Sequence, residues 1–439
     1  MKQPLTRMTH ALIASLLLAI GTSALSEENR SNGSNGVQED AKRLFDGARS
    51  RIYQIRSVTM DGDAESSSGS GFLVGEGGLI ATNWHVIDDY ILEPGTYRLE
   101  ARRTDGKRVP LQVVAIDSLN DLALLRADGE KTEGVTPFAL AAQAPEKGEK
   151  GFAFGDPKRV GFTVVEGTFN GVAAKSMAGH YHFTGAINSG MSGGPVLDRD
   201  GKVFGVIVAK RTDADLMGFL VPVEHLVSLV SRAKPGKEDH DAMAEEARQG
   251  MLKGQERVSV AFISESTEFR KIGGFRFPIA PERTFSCGGR STVEQDDGYR
   301  KESHHCFNDL SINAGRAHNV GLLWAAYVVV RNDSLDSFRF ANRVGEVAAA
   351  DPDDKGDRKV LGRYTCRTDH VALKGTTARV TLCTRPYLKL PGLKDAHIRF
   401  KTLDGDSERL AGKLILRGFT DENIRRVSRY FLESIEWKP

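Results

Sequence analysis

The feature that most restricts the fold is a succession of short runs rich in Val, Ile and Leu, separated by Gly, Asp and Asn. Short runs of β-forming residues bounded by turn residues predict strands joined by tight connections. Many such strands in one stretch are typical of an all-β barrel or sandwich. The runs are Gly71 to Val74, Leu79 to Thr82, Leu111 to Ile116, Leu122 to Arg126, Thr163 to Phe169 and Val203 to Ala209.

One turn in this β region carries a candidate nucleophile. The segment from Gly190 to Pro195 reads Gly-Met-Ser-Gly-Gly-Pro and places Ser192 among glycines. Glycine lets the backbone turn its N–H groups toward a developing oxyanion, because no side chain obstructs the approach. The simpler interpretation is a Gly-Ser turn between two strands, and the serine loop alone does not exclude it.

Two further segments supply a candidate base and a candidate carboxylate. His85 ends the apolar run Ala-Thr-Asn-Trp-His-Val, and Asp121 directly precedes the run Leu-Ala-Leu-Leu. A buried carboxylate is costly unless it is hydrogen-bonded, and an imidazole N–H would satisfy it. The alternatives are a core histidine and a turn aspartate that caps a strand. His180 and His182 alternate along the strand before the serine loop, and we do not expect either to be the base.

Taken together, the three segments resemble those of the trypsin-like serine proteases. Their order, His85 then Asp121 then Ser192, is that of the two-barrel fold, whereas unrelated folds use other orders. The sequence motifs are similar to those of the bacterial HtrA-like branch: Gly-Ser-Gly-Phe, Thr-Asn-x-His-Val, Asp-Leu-Ala-Leu-Leu and Gly-x-Ser-Gly-Gly-Pro. The likeness covers residues 45 to 231. It implies an all-β double β-barrel protease domain over residues 40–233 with a catalytic triad.

The resemblance also implies the roles of several neighbours of the triad. The backbone N–H groups of Gly190 and Ser192 would form the oxyanion hole. Ala186 would lie at the base of the pocket for the substrate side chain, which favours small or medium apolar residues. Met191 departs from the family, which usually has Asn or Asp there, and it would either shift loop packing or hold the hole inactive. An extended substrate would pair with a strand edge that contains Val208, Ala209 and Lys210.

The N-terminal residues resemble an export signal. Lys2 and Arg7 precede the apolar run from Ala11 to Ile20, and small residues follow it. The run is shorter than the roughly 20 residues that span a bilayer. We therefore expect a cleaved signal peptide over residues 1–26, a flexible Ser-, Asn- and Gly-rich tether over 27–39, and a mature chain without a membrane span in the periplasm or secreted.

The C-terminal part carries less information. Residues 234–257 are polar and charged, which predicts a linker with helical tendency and a boundary near residue 235. In residues 258–439 the expected strands and helices do not follow the order of a PDZ domain. They predict an α+β domain of unknown family. The expected strands and helix are Val258 to Ser264, Leu322 to Arg331, Thr377 to Cys383, Lys413 to Gly418 and the helix Thr420 to Leu432.

All four cysteines lie in this C-terminal part, and an oxidising compartment would allow two disulfides. Of the three possible connectivities, pairing of nearest neighbours is the simplest. It joins Cys287 to Cys306 and Cys366 to Cys383. A metal site near His304, His305 and Cys306 is the alternative, but the paired Cys-x-x-Cys spacing of zinc sites is missing.

The net charge does not indicate a binding partner, because 60 Lys and Arg residues nearly balance 58 Asp and Glu residues. We expect protein or peptide substrates, no nucleic acid, and neither a cofactor nor a metal. The resemblance implies a serine endopeptidase that acts on extracytoplasmic proteins. The alternative function is a peptide-binding or chaperone-like module on a protease scaffold.

Overall fold

The computed structural model describes most of the chain from residue 40 onward. The described residues are 40–75, 77–127, 134–157, 161–210, 216–234, 236, 238–264, 268–294, 298–316, 318–348 and 356–438. The expected signal peptide and tether, residues 1–39, lie outside this part. A helix, α1, covers residues 40–48 and buries Leu44 and Ala48.

The first half of the β region forms a closed antiparallel barrel with the strand order β1-β2-β3-β6-β5-β4. Its residues alternate between the interior and the surface, as in β5, where Val109, Leu111 and Val113 are buried between exposed neighbours. A short helix, α2 (Asp88–Leu92), separates β3 from β4. The strands are β1 (Ile52–Thr59), β2 (Glu65–Leu73), β3 (Leu79–Thr82), β4 (Tyr97–Arg103), β5 (Arg108–Asp117) and β6 (Leu122–Ala127).

The second half forms another closed barrel, in the order β10-β11-β12-β9-β8-β7. Phe169, Phe183 and Phe204 are buried in its interior. The helix α3 (Val223–Arg232) follows it. The predicted all-β double barrel is thus confirmed. Its strands are β7 (Lys150–Gly155), β8 (Thr163–Val172), β9 (Tyr181–Thr184), β10 (Pro195–Leu197), β11 (Val203–Lys210) and β12 (Met217–Pro222).

The segment after the barrels departs from the prediction. The helix α4 (His240–Ile263) occupies most of the expected linker and also the stretch Val258 to Ser264, which was wrongly predicted as a strand. Ala247 and Met251 are fully buried in a core shared with the first barrel. Most of the charged residues of the helix are exposed, whereas Gln255 and Ser259 are buried with the apolar side chains. A composition typical of a linker thus concealed a packed helix.

The C-terminal region contains a seven-stranded antiparallel sheet in the order β15-β16-β19-β23-β22-β21-β20. Helices α4 and α6 (Asp421–Glu433) contact one side of it, and α5 (Ser337–Ala348) contacts β19, β22 and β23. The Thr420 side chain caps α6 by accepting from the N–H of Asn423, as predicted. This arrangement confirms an α+β region in which strands predominate.

The strands of this sheet include the three that were correctly predicted, namely β19, β21 and β23. A three-stranded sheet, β13-β14-β24, and a two-stranded hairpin, β17-β18, complete the region. The strands are β13 (Glu268–Ile272), β14 (Phe275–Ile279), β15 (Ser286–Glu294), β16 (Tyr299–Phe307), β17 (Ile312–Asn313), β18 (Asn319–Val320), β19 (Leu322–Asn332), β20 (Thr365–Leu373), β21 (Thr376–Pro386), β22 (Lys394–Thr402), β23 (Glu408–Phe419) and β24 (Glu436–Trp437).

Both disulfides join neighbouring strands of the large sheet, which confirms the predicted pairing. Cys287 lies opposite Cys306 between β15 and β16, and Cys366 lies opposite Cys383 between β20 and β21. His304 is close to the first pair. Both sulfurs there are committed to the disulfide, so this group does not offer the thiolates that a zinc site needs.

The packing of α4 leads to a test of stability. We expect Met251→Ala to lower the free energy of unfolding by about 2–5 kcal/mol, because it removes a fully buried side chain from a shared core. The matched control is Val260→Ala on the same helix, where the side chain is 54% exposed and the expected change stays within about 0.5 kcal/mol. Urea denaturation measures both. Equal losses would contradict the assignment of α4 to the core.

Candidate active site

Two neighbouring strands of the first barrel bring His85 and Asp121 together. Strand β3 pairs with β6 so that Thr82 lies opposite Ala123. His85 follows the end of β3 in a single 3₁₀ turn, Trp84–Val86, and Asp121 immediately precedes β6. Because the strands are antiparallel, the end of one and the start of the other meet at the same rim of the barrel. The register itself therefore places the two residues side by side.

The carboxylate of Asp121 makes two hydrogen bonds to His85. Its Oδ2 lies 2.7 Å from the ring Nδ1, and its Oδ1 accepts from the backbone N–H of His85 at 2.9 Å. The Asn83 amide donates to the backbone carbonyl of Asp121 at 2.8 Å. Asp121 has a φ of 53°, a left-handed conformation that Asp tolerates better than most residues. The carboxylate thus fixes both the position and the tautomer of the imidazole.

Opposing influences act on the pKa of His85. Burial is the largest single influence and lowers the pKa, because it penalises the charged imidazolium. The negative charge of Asp121, its hydrogen bond and the charge of Asp88 act in the other direction. Together they outweigh burial and raise the pKa above its ordinary value. The site therefore stabilises a proton on this imidazole.

The loop that carries Ser192 is held against β2 by Ser70. The backbone N–H of Ser70 donates to the carbonyl of Ser192 at 2.7 Å, and its hydroxyl donates to the carbonyl of Gly190 at 2.7 Å. At Gly193, where φ is 84°, a Cβ would lie 2.3 Å from the carbonyl oxygen of Ser70. The sequence analysis used the Gly-Ser-Gly-Phe segment, which contains Ser70, only as part of the family resemblance. It did not predict that Ser70 binds the loop of Ser192.

The groups expected to act on a substrate are oriented as follows. The Ser192 hydroxyl donates to the carbonyl of Val208 at 3.3 Å, and within the described residues it makes no hydrogen bond to His85. The backbone N–H groups of Gly190 and Ser192 have no protein acceptor in the same part of the chain. Gly190 has a φ of 94°, which glycine adopts freely. Two backbone N–H donors without a protein acceptor therefore lie next to the hydroxyl of Ser192.

The remaining predicted site residues fall in different settings. Met191 is fully buried in the core of the second barrel. Ala186 is exposed between the buried residues Gly185 and Ile187, and its role in substrate selection stays a prediction. Val208 lies on β11, as expected. The side chains of Ala209 and Lys210 lie outside the described part of the structure, although their backbone continues the same strand.

A cavity of about 390 Å³ lies beside the histidine. His85, Asp121 and Val208 contribute to it from the barrels. His180 also lines it, and burial lowers the pKa of that imidazole despite the charges of Asp309 and Asp121. The rest of the lining is largely from the C-terminal region, a contribution that the sequence did not predict: Asp309, Leu310, Ser311, Asn313 and Asn319.

Comparison with protein families agrees with this geometry. Residues 69–206 match the model described as a trypsin-like peptidase domain. The two closed barrels are the fold of that class, so the chain carries a trypsin-like peptidase domain. The matched range contains the three residues that the sequence singled out.

Relatives of the chain are HtrA-like serine proteases. The serine protease Do-like HtrA of Bacillus subtilis is 32% identical over 40% of this chain and 41% of its own length. The putative serine protease HhoB of Synechocystis is 29% identical over 36% of this chain and 38% of its own length. The chain thus spans about two fifths of the length of these relatives.

Two solved structures align with part of the chain. The serine endoprotease from Yersinia pestis aligns with a TM-score of 0.38 and 21% identity, over 44% of this chain and 65% of that one. The active form of a protease from M. tuberculosis aligns with a TM-score of 0.39 and 21% identity, over 45% of this chain and 86% of that one.

The contacts of Asp121 lead to a test by titration. We expect Asp121→Asn to lower the pKa of His85, because the substitution removes both a charge and the hydrogen bond to the ionised ring. NMR titration of the His85 ring protons measures this pKa. Asp88→Asn is the control, since it removes a more distant charge and is expected to produce a smaller decrease. An unchanged pKa in Asp121→Asn would contradict the pairing.

Proposed function

We propose that this protein is a serine endopeptidase with the catalytic triad His85, Asp121 and Ser192. The observation that carries the proposal is the double hydrogen bond between Asp121 and His85, at the rim of a barrel that faces the serine loop. A carboxylate that orients an imidazole next to a serine among glycines is the arrangement that acyl transfer requires. The HtrA-like relatives support the same conclusion.

The chemistry follows from the positions of the protons. Nδ1–H of His85 donates to Asp121, which leaves Nε2 as the basic nitrogen. The Ser192 hydroxyl leaves its contact with Val208, transfers its proton to Nε2 and attacks the peptide carbonyl. The imidazolium then protonates the leaving amine, and an acyl-enzyme remains. Water then gives a proton to Nε2 and attacks the acyl carbonyl carbon. As the C–O bond to Ser192 breaks, the imidazolium returns that proton to the serine oxygen, which releases the acid and restores the hydroxyl.

The free donors of the serine loop suit the developing charge. The N–H groups of Gly190 and Ser192 would bind the oxyanion of the tetrahedral intermediate. The carbonyl of Val208, once the serine hydroxyl has left it, would accept from the substrate backbone. An extended peptide would therefore lie antiparallel along the end of β11 with alternate side chains on opposite sides.

The two disulfides support a proposal about the compartment. Two disulfides persist in an oxidising environment and are rare in the cytosol. In the described ranges, no helix unites the length and the apolar composition that a bilayer crossing needs. We propose that the chain is exported and acts in the periplasm or outside the cell, on proteins present there.

A peptide-binding module without turnover is the competing function. One observation favours it, namely that the Ser192 hydroxyl is bonded to Val208 rather than to His85. In serine proteases without substrate this catalytic bond is often long, so the contact is also compatible with an enzyme. Both functions use the same strand edge, and only turnover separates them.

A fluorophosphonate probe tests the proposal directly. We expect it to label the folded protein, and we expect Ser192→Ala to abolish the label and to lower peptide hydrolysis by at least about 1,000-fold. The matched control is Ser189→Ala, an exposed serine in the same loop, which should keep both activities. Absence of labelling and hydrolysis in the folded wild type would favour the binding module.

A further inference from the structure

Strand β20 forms one edge of the seven-stranded sheet, and its outer side is open. Among the strands that the structure describes, it pairs only with β21, and every residue from Thr365 to His370 is exposed. The disulfide between Cys366 and Cys383 holds the strand on the sheet. An edge strand presents unpaired backbone N–H and C=O groups to any strand that approaches it. This edge is therefore both fixed and accessible.

The backbone groups that face the open side of β20 belong to alternate residues. The Cα atoms of Cys366 and Cys383 are 4.0 Å apart, which is the close spacing of a non-hydrogen-bonded pair in an antiparallel sheet. The N–H of His370 donates to Asp369 Oδ1 at 2.8 Å, a side chain of the same strand. Both observations indicate that the backbone groups of Cys366 and His370 point away from β21. Those of Thr368, which lies between them in the alternation, also face outward.

The charges on this edge are complementary to each other. Arg367 and Asp369 lie on either side of Thr368 and on the same face of the sheet. Neither forms an ion pair with the residues that the structure describes. When β20 pairs antiparallel with β20 of a second copy about Thr368, Arg367 of each copy lies opposite Asp369 of the other. Two-fold symmetry forms this contact twice, and opposite charges at cross-strand positions are stabilising.

The neighbouring symmetric registers lack this match. A pairing centred on Arg367 or on Asp369 places two identical charges opposite each other, which is unfavourable. A pairing centred on His370 places the two charged residues opposite Leu373 and Val371. Charges on an edge strand ordinarily discourage association. Here they disfavour the neighbouring registers and favour the one centred on Thr368.

We infer that two copies of this chain associate through β20, antiparallel, with Thr368 of one copy opposite Thr368 of the other. This inference goes beyond the proposed function and does not depend on it. Thr368 exchanges backbone hydrogen bonds with its copy, and Cys366 exchanges them with His370 of the second copy. Asp369 then turns from the N–H of His370 to Arg367 of the second copy. Because an edge contact buries little surface, we expect a weak dimer with a dissociation constant of about 1–100 µM.

Charge reversal tests both the pairing and its register. The parent chain carries Ser192→Ala, which prevents self-cleavage, and sedimentation equilibrium measures the dissociation constant of its dimer. We expect Arg367→Asp and Asp369→Arg each to weaken the dimer roughly tenfold or more, because two attractive contacts become two repulsive ones. An equimolar mixture of these two variants should associate as tightly as the parent, since each supplies the charges that the other lacks.

Two further variants control this experiment. The double reversal, Arg367→Asp with Asp369→Arg, restores complementary charges within one chain and should dimerise like the parent. Arg290→Asp is the matched control at an exposed position of β15, the opposite edge of the sheet, and should leave the dissociation constant unchanged. A parent chain that stays monomeric well above the expected range would overturn the inference. Association that survives both single reversals would do the same.

Hydrogen exchange of the same parent chain locates the contact. The outward N–H of Thr368 exchanges with solvent in the monomer and is protected in the dimer, so exchange in β20 should slow as the protein concentration rises. Peptides from β15 are the control and should show no dependence on concentration. If a dimer forms while exchange in β20 stays independent of concentration, the interface lies elsewhere and the inference is wrong. None of these measurements needs turnover, so failure of the proposed protease would leave their outcome unaffected.

Discussion

The contact between Asp121 and His85 is the constraint on which the site depends. The carboxylate is largely buried and is stabilised by hydrogen bonds from the backbone and the ring of one histidine. This arrangement requires the ends of β3 and β6 to meet in one register, because a slip by one residue would turn each side chain to the other face. The closed first barrel provides that register. The chemistry of the site is thus a consequence of strand pairing.

The sequence was sufficient for the parts of the fold that rest on local patterns. Short runs rich in Val, Ile and Leu between turn residues predicted several strands of the barrels, and Thr420 marked the start of the last helix. The candidate triad could be found because each member sits in a short segment with its own chemistry. Cysteine pairing was predictable because nearest neighbours became cross-strand partners. Each of these inferences needs only nearby residues.

The parts that were missed depend on contacts between distant segments. The packing of helix α4 was missed because only a few apolar residues, such as Ala247 and Met251, make its buried side within a polar composition. The clamp by Ser70 joins residues more than 100 positions apart in sequence. In the sequence, the hairpin that begins at Ile312 has the composition of an ordinary loop. Its apolar residues are explained only by their contacts with the first barrel. No local periodicity signals such docking, since the partner surface comes from another domain.

The acids that follow His85 couple the two parts of the molecule. Burial and the charge of Asp89 raise the pKa of Asp88 to about 7, even though two backbone N–H groups bind it. Without the hairpin, Asp88 would lose the N–H of Gly315, and Glu93 would lose the guanidinium of Arg316. The docked C-terminal region therefore supplies partners to the acidic turn. Since Asp88 also raises the pKa of His85, the same docking influences the proton affinity of the imidazole. The C-terminal region is thus an electrostatic part of the candidate active site and not only a neighbouring domain.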